Sequence, residues 1–245
     1  MILFSPEYIE YTILGLILLP GLIFASITSI KVKSTFSKYS QVLSAKGITG
    51  AECARRILAY QGIRDVEVRR SSNSELVDNF DPRSNTITLS ADVYDSMSIS
   101  ALGVAAHETG HAIQHAEGYS LIKVRTILAH ASNFMSAFVW PLILIGIVFN
   151  LAYIGGIAGN VLLWCGVGFF GVSLIFSLIT LPVELNASKR AIGLLVSTGC
   201  VDEMEVQGSK KVLKAAAMTY VAAIVVSILQ LIRFILYFVI NSKKE

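Results

Sequence analysis

The sequence predicts a mainly α, polytopic membrane protein with about four transmembrane helices and a small α+β cytoplasmic part. Composition is the first reason. Of 245 residues, 54% are hydrophobic and only 15% are charged, against about 25% charged in a soluble domain. Mean hydropathy is +0.65. The second reason is four apolar runs, at 11–30, 131–150, 151–181 and 215–240, each near or above the roughly 20 residues that a bilayer core requires. The third is that polar residues collect between these runs. They divide the chain into an anchor (1–30), a cytoplasmic part (31–130), two spans (131–182), a second cytoplasmic segment (183–214) and a last span with its tail (215–245).

Taken in order, the first run contains Pro20-Gly21, which a membrane helix tolerates as a kink. Glu7 and Glu10 precede it where a signal peptide would have basic residues, and no small-residue cleavage site follows, so it reads as a retained anchor. Lys31, Lys33 and Lys38 come directly after it. The positive-inside rule therefore puts the N-terminus outside and the next segment in the cytoplasm.

Within that segment, Thr49-Gly50-Ala51-Glu52 has the spacing of a capping box and Gly62 is a helix stop, which predicts a helix over 50–61. Val66 to Arg69 and Thr86 to Leu89 alternate like half-buried strands, with 79–85 as the turn between them. These predict a small antiparallel sheet of two or three strands, with edges that are either capped or open to an extended peptide.

Ser98 to Glu117 is proline-free, opens on serines suited to an N-cap and is closed by Gly118. It contains His107-Glu108-Thr109-Gly110-His111. On a helix, His107 and His111 stand one turn apart on one face, so both imidazoles can reach a single zinc ion. Glu108 then lies beside them, suited to take a proton from a zinc-activated water rather than to bind the metal. Leu102, Ala105, Ala106 and Ala112 surround the motif with small or apolar residues, as a buried helix would have.

After Ser120, Leu121, Val124, Ile127 and Leu128 form an amphipathic lead into the membrane, with Lys123 and Arg125 marking its cytoplasmic side and His130 at the interface. The next run crosses Trp140-Pro141. The third is too long for one straight span, and Gly155, Gly156 and Gly159 predict a turn near its outer start. Lys189, Arg190, Lys210, Lys211 and Lys214 mark 183–214 as cytoplasmic. Arg233, inside the last run, snorkels or faces a partner helix. Four spans from an outside N-terminus leave Lys243 and Lys244 outside, against the rule.

Net charge is +3, and no basic cluster interleaved with aromatics occurs, so nucleic acid is not a predicted partner. Cys53, Cys165 and Cys200 are far apart and form no CxxC, which predicts buried or half-buried thiols rather than a disulfide framework or a cysteine metal site.

A catalytic zinc takes three protein ligands and keeps one position open. His115 lies eight residues from His107, about 12 Å along an unbroken helix. It is read as a polar helix-end residue or a group behind the ligands. Glu184 follows Leu181-Pro182 where an apolar run ends, and Pro182 reads as the first turn of a new helix. Spacing alone leaves Glu184 two roles, third ligand or an acid complementing the helix dipole. Asp202, Glu203 and Glu205 are the alternatives for the ligand.

The block from Leu102 to His115, together with Asn79-Phe80-Asp81-Pro82-Arg83 and Leu181-Pro182-Val183-Glu184 to Arg190, resembles the bacterial membrane-bound neutral zinc metallopeptidases described as YugP-like. The likeness covers most of the chain in the same order. More distantly, the arrangement is similar to the HtpX-like and CAAX prenyl protease group, whose third ligand is a glutamate in an E-x-x-A-D block. The matching block here is Glu184-Leu185-Asn186-Ala187-Ser188, with serine in the aspartate's place. The resemblance implies a zincin-like cytoplasmic part holding one Zn2+ by His107, His111 and Glu184, with Ser188 able to hydrogen-bond a ligand in place of the carboxylate. It also implies a zinc-dependent endopeptidase with Glu108 as general base, acting on a peptide or protein substrate at the bilayer. The HtpX likeness points toward membrane protein quality control. Arg190, Arg83 and His115 are the candidates for oxyanion stabilisation. The alternatives are a membrane zinc-binding scaffold without proteolytic activity and a transporter, the latter weakened by the scarcity of ionisable residues in the spans.

Overall fold

The structure, a computed structural model, describes residues 13–72, 78–151 and 157–242. Glu7, Glu10, Gly155, Gly156, Lys243 and Lys244, which the topology reading used, lie outside them. The elements in order are α1 (Leu19–Ser40), α2 (Gly50–Tyr60), β1 (Glu67–Arg70), β2 (Asn79–Asp81), β3 (Thr86–Leu89), α3 (Ala91–Tyr94), α4 (Ile99–Ala116), α5 (Ser120–Leu151), α6 (Ile157–Ser197) and α7 (Val206–Ser242). The protein is mostly helical, and among the described residues four helices are long and apolar enough to cross a membrane: Ile13–Ser40, Ser120–Phe149, Ile157–Ser197 and Val206–Tyr237.

The chain divides into two compact units. The first comprises the described parts of Met1–Ile27, Val124–Thr180 and Tyr220–Glu245. Its core gathers Val139, Ile143 and Leu163, with Phe169, Phe170, Phe234 and Tyr237 packed against them. Gly146 permits a close approach there, since a Cβ on it would stand 2.8 Å from Leu163 Cγ and 3.0 Å from the Gly159 carbonyl. Large apolar side chains point outward, Trp140 at 57% and Ile175 at 51% exposed. That is the face a helix turns to lipid, where apolar surface has no cost.

The second unit comprises Thr28–Lys123 and Leu181–Thr219. Thr49 caps α2 by accepting from the Glu52 N–H at 3.2 Å. The helix buries Ala51, Cys53, Ala54, Ile57 and Leu58 and ends at Gly62, whose φ of +70° suits glycine. Ser98 caps α4 in the same way through the Ala101 N–H, and Gly118 closes it at φ +68°. α4 lies between two apolar clusters. Leu102, Ala106 and Ile113 join Ile57, Ala191 and Leu195. Ala101, Ala105 and Ala112 join Leu58, Ile87, Leu89 and Val93. Small residues on both faces let two layers close on one helix.

Several expectations are corrected. The sheet is mixed, in the order β1-β3-β2, with β1 parallel and β2 antiparallel to β3. Asn79–Asp81, expected in the turn, is the strand β2. Asp81 explains the tighter turn: its carboxylate accepts from the Arg83 N–H and the Ser84 hydroxyl, and Asn85 takes a φ of +49°. Four residues thus reverse the chain, and Phe80 pairs with Ile87. β3 is central, paired with β1 and β2 on its two edges, and Ile87 and Leu89 on one of its faces are wholly buried against the helices.

Pro182 does not open a new helix either. α6 runs from Ile157 through Pro182 to Ser197. A proline interrupts one backbone bond and tends to kink a helix, but packing can hold the helix through it. Here Val183, Ala187, Ala191 and Leu195, at helical spacing after the proline, are each 0% exposed. The amphipathic lead at 121–128 and the run at 131–150 are likewise one helix, α5.

Candidate metal centre

α4 supplies His107 and His111 at i and i+4, and α6 supplies Glu184. Gly110 sets how near the two helices come. A Cβ on it would stand 2.8 Å from the Ala187 carbonyl oxygen and 3.3 Å from Ala187 Cα, so α6 passes directly over the glycine. One helical turn before Ala187, Glu184 is thereby brought over the histidines.

Glu184 Oε2 lies 3.1 Å from His107 Nε2 and 3.5 Å from His111 Nε2. The three side chains each offer a donor atom, and these lie within 4.8 Å of one another. Glu184 and His111 are buried, at 4% and 7% side-chain exposure, while His107 at 15% opens the site on one side. The two rings meet edge to face at 4.8 Å between centroids. Glu108, adjacent to His107 on α4, is 9% exposed.

Behind the rings, each Nδ1 is held. Ser188 Oγ is 3.1 Å from His107 Nδ1, and Gln114 Oε1 is 3.0 Å from His111 Nδ1. The second contact fixes a proton. Gln114 Nε2 donates to the Val183 carbonyl at 2.9 Å and to Asn186 Oδ1 at 2.9 Å. A carbonyl can only accept, so the amide nitrogen faces Val183 and the amide oxygen faces His111. His111 must then carry a proton on Nδ1, so in the neutral imidazole Nε2 presents a lone pair toward Glu184 Oε2, 3.5 Å away. Asn186 is oriented in turn, since its Oδ1 also accepts from Arg190 Nε at 2.8 Å. Arg190 continues to Glu117 at 2.7 Å.

A bare nitrogen lone pair facing a buried carboxylate oxygen is repulsive unless a proton or a cation lies between them. Two imidazole nitrogens and one carboxylate oxygen, converging from two helices with one open side, match the donor set of a catalytic zinc. The residues present therefore fit the metal.

Of the residues singled out in sequence, the structure brings His107, His111, Glu184 and Ser188 together. Arg190 stands beyond Asn186 in the network just described. His115 rests on the Phe80 ring at 5.8 Å between centroids. Two of the three alternative acids are engaged elsewhere: Asp202 pairs with Lys46 at 2.6 Å, and Glu205 accepts from the Ala45 N–H at 2.7 Å and from Ser44 Oγ at 3.0 Å; Glu203 is exposed and outside the cluster of His107, His111 and Glu184. Gln114 and Asn186 were missed. Gln114 lies three residues after His111, a spacing that places it on the same helix face, and that signal was available.

Residues 14–239 match the model of a family described as "Putative neutral zinc metallopeptidase". The chain belongs to this family. It is also 44% identical over 216 residues to the "Putative membrane protease YugP" of Bacillus subtilis, an alignment covering 88% of this chain and 91% of the relative. No solved structure matches. Membership of a neutral zinc metallopeptidase family implies zinc, peptide substrates and, with four apolar helices, a lipid environment.

Proposed function

We propose that this chain is a membrane-embedded zinc endopeptidase in which His107, His111 and Glu184 hold one Zn2+ and Glu108 is the general base. The observation that carries the proposal is the convergence of the two Nε2 atoms and the Glu184 carboxylate within 4.8 Å. A zinc ion held there would supply Lewis acidity to the scissile carbonyl and to the attacking water. Glu108 takes the proton from that water and returns it to the leaving amine. Ser188 and Gln114 hold the rings so that both Nε2 atoms face inward, which keeps the ligands preorganised. Arg190 and His115 remain candidates to stabilise the oxyanion from outside the ligand set.

Segments 31–130 and 183–214 form the catalytic part, and 1–30, 131–182 and 215–245 carry the spans. The catalytic part faces the cytoplasm. Support comes from Lys31, Lys33, Lys38, Lys123, Arg125, Lys189, Arg190, Lys210, Lys211 and Lys214, all in or next to its two segments. Glu184 lies three residues beyond the end of an apolar run, so substrates are polypeptides at the membrane surface, with membrane proteins awaiting quality control as the class that fits. Detergent-purified protein incubated with an unstructured polypeptide tests the activity. Cleavage that a chelator abolishes and added zinc restores is the expected result; chelator-resistant cleavage would overturn the proposal. Glu184→Ala should also lower bound zinc, and unchanged zinc would remove Glu184 from the ligand set.

A further inference from the structure

Two stretches of basic sequence that the metal centre does not use come together in the second unit. Lys31 and Lys38 on α1, and Lys211 and Lys214 on α7, line a groove of about 510 Å³ whose floor continues to Ala215 and Met218. Gly208 brings the two helices to this distance, since a Cβ on it would stand 2.9 Å from the Tyr39 ring. All four lysines are exposed, and among the described residues no carboxylate lines the groove. Four ammonium groups held around one concavity repel one another, and an anion relieves that repulsion.

The position of the groove selects the anion. Lys31 directly follows the apolar run that ends at Ile30, and Lys214 directly precedes the run that begins at Ala215. The groove therefore sits where two membrane-length runs turn polar, the level of lipid headgroups. Its lining matches that level, cationic along the lysines and apolar at Ala215 and Met218. We propose that this groove binds the phosphate of an anionic membrane lipid, with the lysines on the headgroup and the apolar end against the glycerol and upper acyl chain. A free phosphate would use only the first half of that lining.

Occupancy has a structural consequence. Ser209, between the groove and α4, donates to the Ile99 carbonyl at 3.0 Å, and a Cβ on Gly103 would stand 3.2 Å from Ser209 Cβ. A lipid that ties α1 to α7 thus steadies the helix on which the first turn of α4 rests, and binding registers as thermal stabilisation.

The test uses the full chain in a neutral detergent, titrated with phosphatidylglycerol, phosphatidylcholine or inorganic phosphate. Phosphatidylglycerol should raise the melting temperature, and the other two should not. The paired substitution K38Q with K211Q should weaken the phosphatidylglycerol effect on the order of tenfold or more. K33Q with K210Q removes the same charge from the same helices outside the groove and should leave the effect in place. K31Q with K214Q provides a second groove pair if the first fails to fold. Equal losses from groove and control pairs would reduce the effect to general surface charge and overturn the proposal. Equal stabilisation by phosphatidylcholine or by inorganic phosphate would overturn it as well.

Discussion

Gln114 determines which nitrogen of His111 carries the proton. Its amide oxygen is 3.0 Å from His111 Nδ1, and its amide nitrogen is committed to the Val183 carbonyl. In the neutral ring Nε2 is then the unprotonated nitrogen, the form that a metal requires. Because Gln114 bridges α4 to α6, the same side chain that sets the tautomer also ties the helix of Glu184 to the helix of the histidines.

Substituting Gln114 should accordingly affect metal binding more than a simple loss of packing would. Gln114→Leu retains volume but removes all three amide contacts, to His111, Val183 and Asn186. Zinc affinity should fall about 10–100-fold, the usual effect of losing a partner behind a ligand, as read by competition with a chromogenic chelator. An unchanged affinity alongside a lowered melting temperature would make Gln114 a packing residue only.

Gly110 limits the separation of α4 and α6. Gly110→Ala would place a methyl group 2.8 Å from the Ala187 carbonyl oxygen, and that atom is backbone, not the movable end of a side chain. The variant should lose about 1–3 kcal/mol of stability and bind zinc more weakly, measured by thermal denaturation and metal content. Wild-type zinc affinity in this variant would mean that the helices can part without moving Glu184.

Ser188 offers a test by gain. It stands 3.1 Å from His107 Nδ1, where a carboxylate would make a stronger, charge-assisted bond. Ser188→Asp should tighten zinc binding and Ser188→Ala should loosen it, by a smaller factor than the Gln114 substitution because a hydroxyl is the weaker partner. If the two variants bind zinc alike, the Ser188 contact does not orient His107.

Much of this arrangement was legible in the sequence because it follows from local rules. Thr49 and Ser98 announce their helices, Gly62 and Gly118 close them, and the four apolar runs are long enough to identify themselves. What escaped was decided by distant contacts. Asn79–Asp81 is too short to show alternation, and it becomes a strand through its backbone pairing with Thr86–Thr88 of β3. Pro182 carries every local sign of a helix start, yet Val183, Ala187 and Ala191 pack well enough to carry α6 through it. Gln114 and Asn186 read in sequence as ordinary polar helix residues; only the approach of α6 at Gly110 buries Gln114 completely and turns the pair toward the site. The histidines of the motif were evident from their spacing, whereas the contacts that aim them were not.

The role of Glu108 is the central claim, and one comparison tests it most directly. Wild-type and Glu108→Gln proteins, purified alike, are assayed for zinc per chain and for cleavage of an unstructured polypeptide. The proposed mechanism predicts about equal zinc in the two and a loss of cleavage of roughly 100- to 10,000-fold in the variant, the range that a general base contributes. Cleavage undiminished in Glu108→Gln, with zinc still bound, would contradict it.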